Sequence, residues 1–383
     1  MRILIDFLKI FRRRFIFVSA KCIKIFSPSS KFIGPPKDYY ESVEKYINLN
    51  PHLGSVQKVS TDPLKKLATI KGGRICLRPW AFLTKDDKLL FEESNCYNSS
   101  PTEHWIFQTI KLPTCFSLMG KSLFLSSRSN YWHTIADDLS HINLLRSRGI
   151  TLDDYDHIIC EKPSNKAVSE VYKLWNIQEK KLVSLREHKH IEFEEVSFFS
   201  GSLSLLPVQI NETRNKVLSS LKKNNFSETK NIIVGRGDVD TRKWINQSDC
   251  QKCLESEFDF QLVESSQLTF TEQAYLFQNT KIVVGVHGAG LTNIIFMKPG
   301  SYVIELRYKK QKGLFSSASC YEKLSKLLSI NHIVLHCNGV ERKELKGRSI
   351  EDADIFADIN QLSDAVKSII QGVKGSFLKR EKI

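Results

Sequence analysis

The stretch Thr280–Tyr308, TKIVVGVHGAGLTNIIFMKPGSYVIELRY, reads as a complete β-α-β unit with a turn of small residues in its middle. Lys281–Gly285 is a short run rich in β-branched residues, the pattern of a strand buried on both faces. Gly288, Ala289 and Gly290 form the turn, and the apolar segment Leu291–Met297 continues as a helix. Pro299-Gly300 ends that helix, and Ser301–Leu306 is the next strand, with Glu305 near its carboxyl end. A strand that passes through glycines into a helix start is a phosphate seat. The backbone approaches a ligand without Cβ atoms in the way, and the first amides of the helix point at whatever anion lies there.

The turn has neither the G-x-G-x-x-G spacing nor the Lys-Ser/Thr of a P-loop. A tight turn that serves packing alone is the competing reading of the glycines. His287, a hydrogen-bond donor inside the turn, and Asn293, just inside the helix, favour a ligand.

The run His287-Gly288-Ala289-Gly290-Leu291-Thr292-Asn293, followed by Phe296, Pro299-Gly300 and Val303-Ile304-Glu305-Leu306, resembles the C-terminal signature of glycosyltransferase family 61. Arg236, Arg242 and Asn246 resemble the spaced arginines and asparagine of that family, and Glu272-Gln273 with Phe277 the helix before its signature strand. Asn130-Tyr131-Trp132-His133 with Asp137 is similar to its N-terminal-domain motif. The likeness covers about Lys121–Leu306. It implies an α/β GT-B fold, in which two Rossmann-like doubly wound domains face a central cleft, and inverting transfer from a nucleotide-sugar donor to a glycan acceptor. It also implies donor contacts from Arg236, Arg242, His287, Gly288, Ala289, Gly290, Leu291, Thr292, Asn293 and Glu305, with His133 and Asp137 on the catalytic side.

The residues support parts of this independently. Two arginines and a helix N-terminus are what a diphosphate leaving group requires where no metal neutralises it. Glu305, at a strand end, is suited to accept hydrogen bonds from ribose hydroxyls. His133 and Asp137 are four apart on one helix and share a face. A carboxylate beside an imidazole fixes its tautomer and raises its basicity, which suits a general base on an acceptor hydroxyl. A structural pair, with Asp137 merely holding His133, fits the same spacing. Asp238-Val-Asp240 has the spacing of a divalent-cation site, but between two arginines its charge opposes a diphosphate, and we assign neither metal nor cofactor.

At 383 residues the chain accommodates two domains, and its 41% hydrophobic and 26% charged residues are those of a globular protein. Of the net charge of +14, residues 1–37 carry +8 and all the rest only +6, so the body lacks the basic surface of a nucleic-acid binder. In this arm Leu4, Phe7, Leu8, Phe11, Phe15, Val18, Cys22 and Ile25 recur at helical spacing, largely apart from Lys9, Arg12, Arg13 and Lys24. We expect residues 1–26 to form an amphipathic helix on the inner face of the cell membrane. Its longest uncharged run, Phe15–Ala20, is short for a span or a signal peptide. Members of the resembled family from plants and animals carry transmembrane anchors. An arm of this kind is consistent instead with a bacterial enzyme acting in the cytoplasm on a lipid-linked glycan such as capsule or lipopolysaccharide. Nine cysteines without a regular framework suggest reduced thiols, and Cys250-x-x-Cys253 alone cannot close a zinc site.

Domain boundaries are expected at 37/38 and 225/226, giving an acceptor-side domain and a C-terminal nucleotide-sugar-binding domain. Gly73–Phe82 reads as one strand, and strand-helix alternation from Ser122 onward predicts a parallel sheet in each domain. In the second domain the pattern predicts strands at Ile232–Val234, Gln261–Val263 and Ile333–His336, and helices at Ser248–Glu257, Phe270–Gln278 and Ile359–Val373. Thr269 and Glu272 form a capping box for the second of those helices. Two other classes compete: a non-catalytic nucleotide- or glycan-binding protein of the same fold, and a phosphoryl or nucleotidyl transferase, which would need a metal at Asp238 and Asp240.

Overall fold

The computed structural model describes residue 36 and residues 38–59, 66–77, 80–94, 100–109, 111–125, 130–200, 205–221, 231–236, 241–308, 319–340 and 353–372. The expected amphipathic arm, and Asp238 and Asp240, lie outside these residues, as does the expected boundary at 225/226. No helix among the described residues is long and apolar enough to cross a membrane. The chain divides into two compact units. One draws on residues 1–129, 137–164 and 172–204, the other on 130–136, 165–171 and 205–383.

The first unit holds strands β1 (Asp38–Tyr40), β2 (Gly54–Lys58), β3 (Lys66–Cys76), β4 (Ala81–Thr84), β5 (Lys88–Leu90), β6 (Phe116–Phe124), β7 (His157–Ile159), β8 (Leu182–Val183) and β9 (His190–Ser200). Helices α1 (Val43–Leu49) and α2 (Leu139–Arg146) accompany them. The sheet order is β1-β5-β4-β3-β9-β6-β7-β8, with β2 also paired to β3. The parallel pairing expected from Ser122 onward holds among β6 to β9, and the departure from a doubly wound sheet lies in the strands before them. β6, β7, β8 and β9 pair in parallel, but β2, β3, β4 and β5 form antiparallel pairs and β3 meets β9 antiparallel. Parallel neighbours need a crossover of a dozen residues or more, and the chain between β3 and β5 has only short connections. The single strand expected over Gly73–Phe82 is instead the end of β3 and the start of β4, folded back so that Arg74 faces Leu83. Phe82, Phe124 and Phe198 pack in its core, the first stacked on the third at 4.4 Å.

The helix α3 (Lys166–Leu174) follows β7 in the chain. The second unit continues with α4 (Pro207–Ser220), β10 (Asn231–Val234), α5 (Gln247–Phe258), β11 (Phe260–Val263), α6 (Phe270–Asn279) and β12 (Ile282–Val286). β13 (Tyr302–Tyr308), α7 (Cys320–Leu327), β14 (Asn331–Val340), β15 (Asp354–Phe356) and α8 (Ile359–Ile370) complete it. Here the doubly wound expectation describes the fold. The strand order is β11-β10-β12-β13-β14-β15, and every pair is parallel except β14 with the edge strand β15.

Both faces of this sheet are covered, which is why its strands read as apolar runs rather than alternations. Ile282, Val284 and Val286 of β12 belong to one apolar cluster with Cys250 and Leu254 of α5 and Leu362, Val366 and Ile369 of α8. The neighbours of these strand residues, Val283 and Gly285, point to the opposite face, where a Cβ on Gly285 would lie 3.0 Å from Leu291. On that face Phe270 of α6 meets Phe296 edge-on at 5.6 Å. The capping box is present: Thr269 Oγ1 accepts from the Glu272 amide, and Glu272 Oε2 accepts from the Thr269 amide.

Candidate functional site

The order β11-β10-β12 means that the chain leaves β10 toward one edge of the sheet and leaves β12 toward the other. Between the carboxyl ends of these two strands the connections part, and in open α/β sheets this switch point is where ligands bind. Arg236 emerges there after β10, and His287, Gly288, Ala289 and Gly290 after β12. The floor is fixed by the sheet itself. The ladder runs one residue past each strand, from the Gly235 amide to the Val263 carbonyl at 2.9 Å and from the His287 amide to the Leu306 carbonyl at 3.0 Å.

Two guanidinium groups converge on one backbone carbonyl at this point. Arg242 Nη1 donates to the His287 oxygen at 3.2 Å and Arg236 Nη1 reaches the same oxygen at 3.5 Å, while Arg236 Nη2 donates to the Thr241 carbonyl at 2.9 Å. Burial, and then the charge of Arg242, lower the Arg236 pKa to about 10. Arg242 sits in the left-handed region at φ 54°, a costly conformation for a non-glycine residue. Gly288 lies directly under Arg236, where a Cβ would come within 1.9 Å of Nη1. Gly290 lies against β10, where a Cβ would come within 2.8 Å of Val234 Cγ1.

The segment after this turn is a 3₁₀ helix, Ala289–Phe296, with Gly288 as its N-cap, rather than the α-helix expected from Leu291 to Met297. It carries three β-branched residues, Thr292, Ile294 and Ile295, and is buried from Leu291 onward. Its first amides, at Ala289 and Gly290, have no preceding turn to bond with and remain the half-exposed part of the segment.

Behind the turn lies a buried charge cluster. Glu305 has no exposed surface, and His287 Nδ1 bonds its Oε1. Its Oε2 accepts from Arg307 at 2.6 Å and meets His332 Nε2 at 2.8 Å. His332 Nδ1 pairs with Ser325 Oγ at 2.8 Å, and Arg307 also donates to Glu322 at 2.6 Å. Burial alone pushes the Glu305 pKa up, but the hydrogen bonds from His287, His332 and Arg307 overrule it and hold the carboxyl well below its usual range. Both oxygens of Glu305 are thus committed to the chain's own side chains. A direct contact with ribose, the role expected of it, would displace one of them. In the structure its partner toward the turn is His287.

The segment Asn130–Ala136 belongs to the second unit, and it supplies aromatic side chains to the same turn. Tyr131 donates to Asn293 Oδ1 at 2.7 Å, and Asn293 Nδ2 donates to Gln273 Oε1 at 2.6 Å. Gln273 in turn donates to the Ser265 and Leu268 carbonyls. Trp132 meets Tyr321 edge-on at 5.0 Å, Tyr321 meets the His287 ring at 5.3 Å, and the Tyr321 hydroxyl donates to the Gly288 carbonyl at 2.7 Å. Of the expected donor residues, Arg236, Arg242, His287 and Gly288 therefore share direct contacts, with Ala289 and Gly290 next in the turn. Leu291 and Thr292 are buried in the helix that holds it, and Asn293 faces Tyr131 and Gln273.

His133 and Asp137 fall in a six-residue π-helical stretch, His133–Asp138, and both are half-buried. Asp138 beside them is buried. Such π segments are rare and recur at functional sites. The division between the two units runs through this stretch, after Ala136. Sequence reasoning missed Arg307, Tyr321 and His332. An isolated histidine in a strand carries no periodic signal, and Tyr321 reaches the turn from a helix 33 residues further along.

The chain matches the family model described as Glycosyltransferase 61 over residues 103–304, just over half its length. Among curated proteins it is similar to the EGF domain-specific O-linked N-acetylglucosamine transferase of Drosophila melanogaster, with 31% identity over 93 residues, 24% of this chain and 17% of the relative. The Bos taurus protein of the same name is 33% identical over 106 residues, 27% of this chain and 19% of the relative. The matches thus span less than a fifth of these relatives.

Proposed function

Because the chain belongs to glycosyltransferase family 61, we propose that it moves a sugar from a nucleoside diphosphate donor to a glycan hydroxyl, with inversion at the anomeric carbon. The observation that carries this reading is the convergence of Arg236 and Arg242 over the His287–Gly290 turn at the β10/β12 switch point. A diphosphate acquires negative charge as the glycosidic bond breaks. On this reading the two guanidiniums, which in the empty site donate to the His287 and Thr241 carbonyls, would turn with the first amides of the 3₁₀ helix toward that charge. On this reading the leaving group is neutralised by arginine, without a metal. Glu305 acts as the group that orients His287 rather than as a ribose ligand.

His133, with Asp137, is our candidate for the base that takes the proton from the acceptor. The basic arm at residues 1–26 would hold the enzyme at an anionic membrane surface, on the cytoplasmic side, where a lipid-linked acceptor in capsule or lipopolysaccharide synthesis is the proposed substrate. The relatives' names add N-acetylglucosamine to the donors to be tried.

The test is calorimetry of UDP, GDP and CMP with their sugar conjugates, UDP-N-acetylglucosamine included, in EDTA and in Mn²⁺, on wild type and Arg236→Ala. Binding of one diphosphate series in EDTA, weakened by the substitution, supports the proposal. Binding that demands Mn²⁺ and ignores Arg236 moves the phosphoryl- or nucleotidyl-transferase reading ahead. Binding without any sugar transfer favours a non-catalytic protein of the same fold.

A further inference from the structure

The backbone is bonded on both sides of Arg242. Before it, the Thr241 carbonyl accepts from Arg236 Nη2. After it, the Lys243 amide donates to Asp354 Oδ1 at 2.7 Å, and the Lys243 carbonyl accepts from the Ile355 amide at 2.8 Å. The ladder continues from the Ile245 amide to the Ile355 carbonyl at 2.9 Å. Asn246 closes it: its side chain donates to the Ala357 carbonyl at 2.7 Å and accepts from the Ala357 amide at 3.0 Å. Residues 243–246 and 354–357 thus run as a short parallel ribbon, with Trp244 opposite Ile355 and both side chains in the apolar cluster of β12, α5 and α8.

A non-glycine residue at φ 54° persists only where its surroundings over-determine it. Of the bonds around Arg242, the one from Arg236 is exchangeable: when that guanidinium turns to a diphosphate, it releases the Thr241 carbonyl. The ribbon is made instead by backbone groups and two buried side chains, for Asp354 has no exposed surface and Asn246 is 5% exposed. The Asp354 charge also reaches the site. It opposes the lowering of the Arg236 pKa that burial and Arg242 bring about. Asp354, Ile355 and Ala357 lie beyond residue 304, where the match to the family ends.

We infer that Asp354 is a positioning residue for the donor: its carboxylate, with the Asn246–Ala357 clasp, fixes the backbone that aims Arg242 at the diphosphate, so that a segment outside the matched region is part of the donor site. This rests on the donor-site reading above.

The experiment is calorimetry of UDP and GDP binding to the wild type, Asp354→Asn, Asp354→Ala, Arg242→Ala and the variant with both alanines, each beside a thermal melt. Asp354→Asn keeps an acceptor for the Lys243 amide and removes a negative charge near the arginines, so the nucleotide should bind at least as tightly as to the wild type. Asp354→Ala removes the acceptor and should weaken binding by about tenfold, the size of one charge-assisted hydrogen bond lost to the phosphate. That loss should vanish in the Arg242→Ala background, because a residue that acts through the arginine then has nothing to position. A general loosening of the fold would weaken binding in both backgrounds alike. Asn246→Ala opens the same ribbon at its other end; it should follow Asp354→Ala in both backgrounds, and it replaces that variant if the latter does not fold. Unchanged binding by the alanine variants, an equal loss in both backgrounds, or Asp354→Asn binding as weakly as Asp354→Ala overturns the inference and leaves the donor site standing. If neither nucleotide binds the wild type, the donor-site reading falls and the inference with it.

Discussion

Gly288 and Arg236 occupy one another's space: a Cβ at position 288 would stand 1.9 Å from Nη1 of the arginine. The backbone angle at Gly288 is extended, φ 169°, and any residue adopts it. The glycine is there for clearance. Gly288→Ala should therefore fold, since its backbone is unstrained, while the guanidinium is forced off the His287 carbonyl. Nucleotide affinity should fall by about tenfold or more, the size of one displaced charge-assisted hydrogen bond. Calorimetry beside a thermal melt separates the two effects, and an unchanged affinity would remove Arg236 from the donor site.

Tyr131→Phe deletes one hydroxyl and leaves Asn293 Oδ1 without its 2.7 Å donor. Asn293 has no exposed surface, so the unmet acceptor should cost about 1–3 kcal/mol in denaturant unfolding. Loss well below that range would mean that the Tyr131–Asn293–Gln273 chain does not hold the turn.

Glu305 should make the protein acid-labile. Its folded-state pKa lies below the ordinary value of 4.5, so the stability it contributes is present above that value and is lost as pH falls below it. Glu305→Gln leaves Arg307 with one carboxylate fewer in a buried setting and should destabilise by about 3–5 kcal/mol at neutral pH. Unfolding midpoints of both forms against pH should converge toward acid.

Glu93 predicts the opposite slope. Burial raises its pKa to about 7, against the hydrogen bonds from Ser200 Oγ and the Val43 amide. The folded state then binds a proton that the unfolded state releases above 4.5, so stability falls as pH rises from about 4.5 to about 7. The difference is on the order of 3 kcal/mol. Glu93→Gln keeps an acceptor for the Val43 amide and should be more stable than wild type at pH above about 7, with the slope abolished. A slope that persists in this variant would assign it to another group.

The second unit was largely legible in the sequence because its strands obey one rule. Covered on both faces, β10, β12 and β13 read as apolar runs, whereas the glycines after β12, expected to make room for a ligand, make room for the chain's own Arg236 and Val234. The same rule hid the first unit. All four residues of β4, Ala81–Thr84, are buried, so no alternation marks it as half of an antiparallel pair, and the reading of Gly73–Phe82 as one strand passed over the reversal. His332 was illegible for another reason. Its place beside Glu305 follows from β14 pairing with β13 in a register that sets His332 opposite Val303, and single-strand periodicity does not encode register with a distant neighbour.

The ladder that extends one residue past β10 and β12 divides the amides of this site into two populations. Those of Gly235 and His287 are bonded to Val263 and Leu306 in the middle of the sheet, and they should exchange with deuterium only when the sheet itself opens. Those of Ala289 and Gly290, two residues farther on, should exchange fast until an anion covers them. A ligand that slows the second pair and leaves the first unchanged has bound to a surface that was already in place.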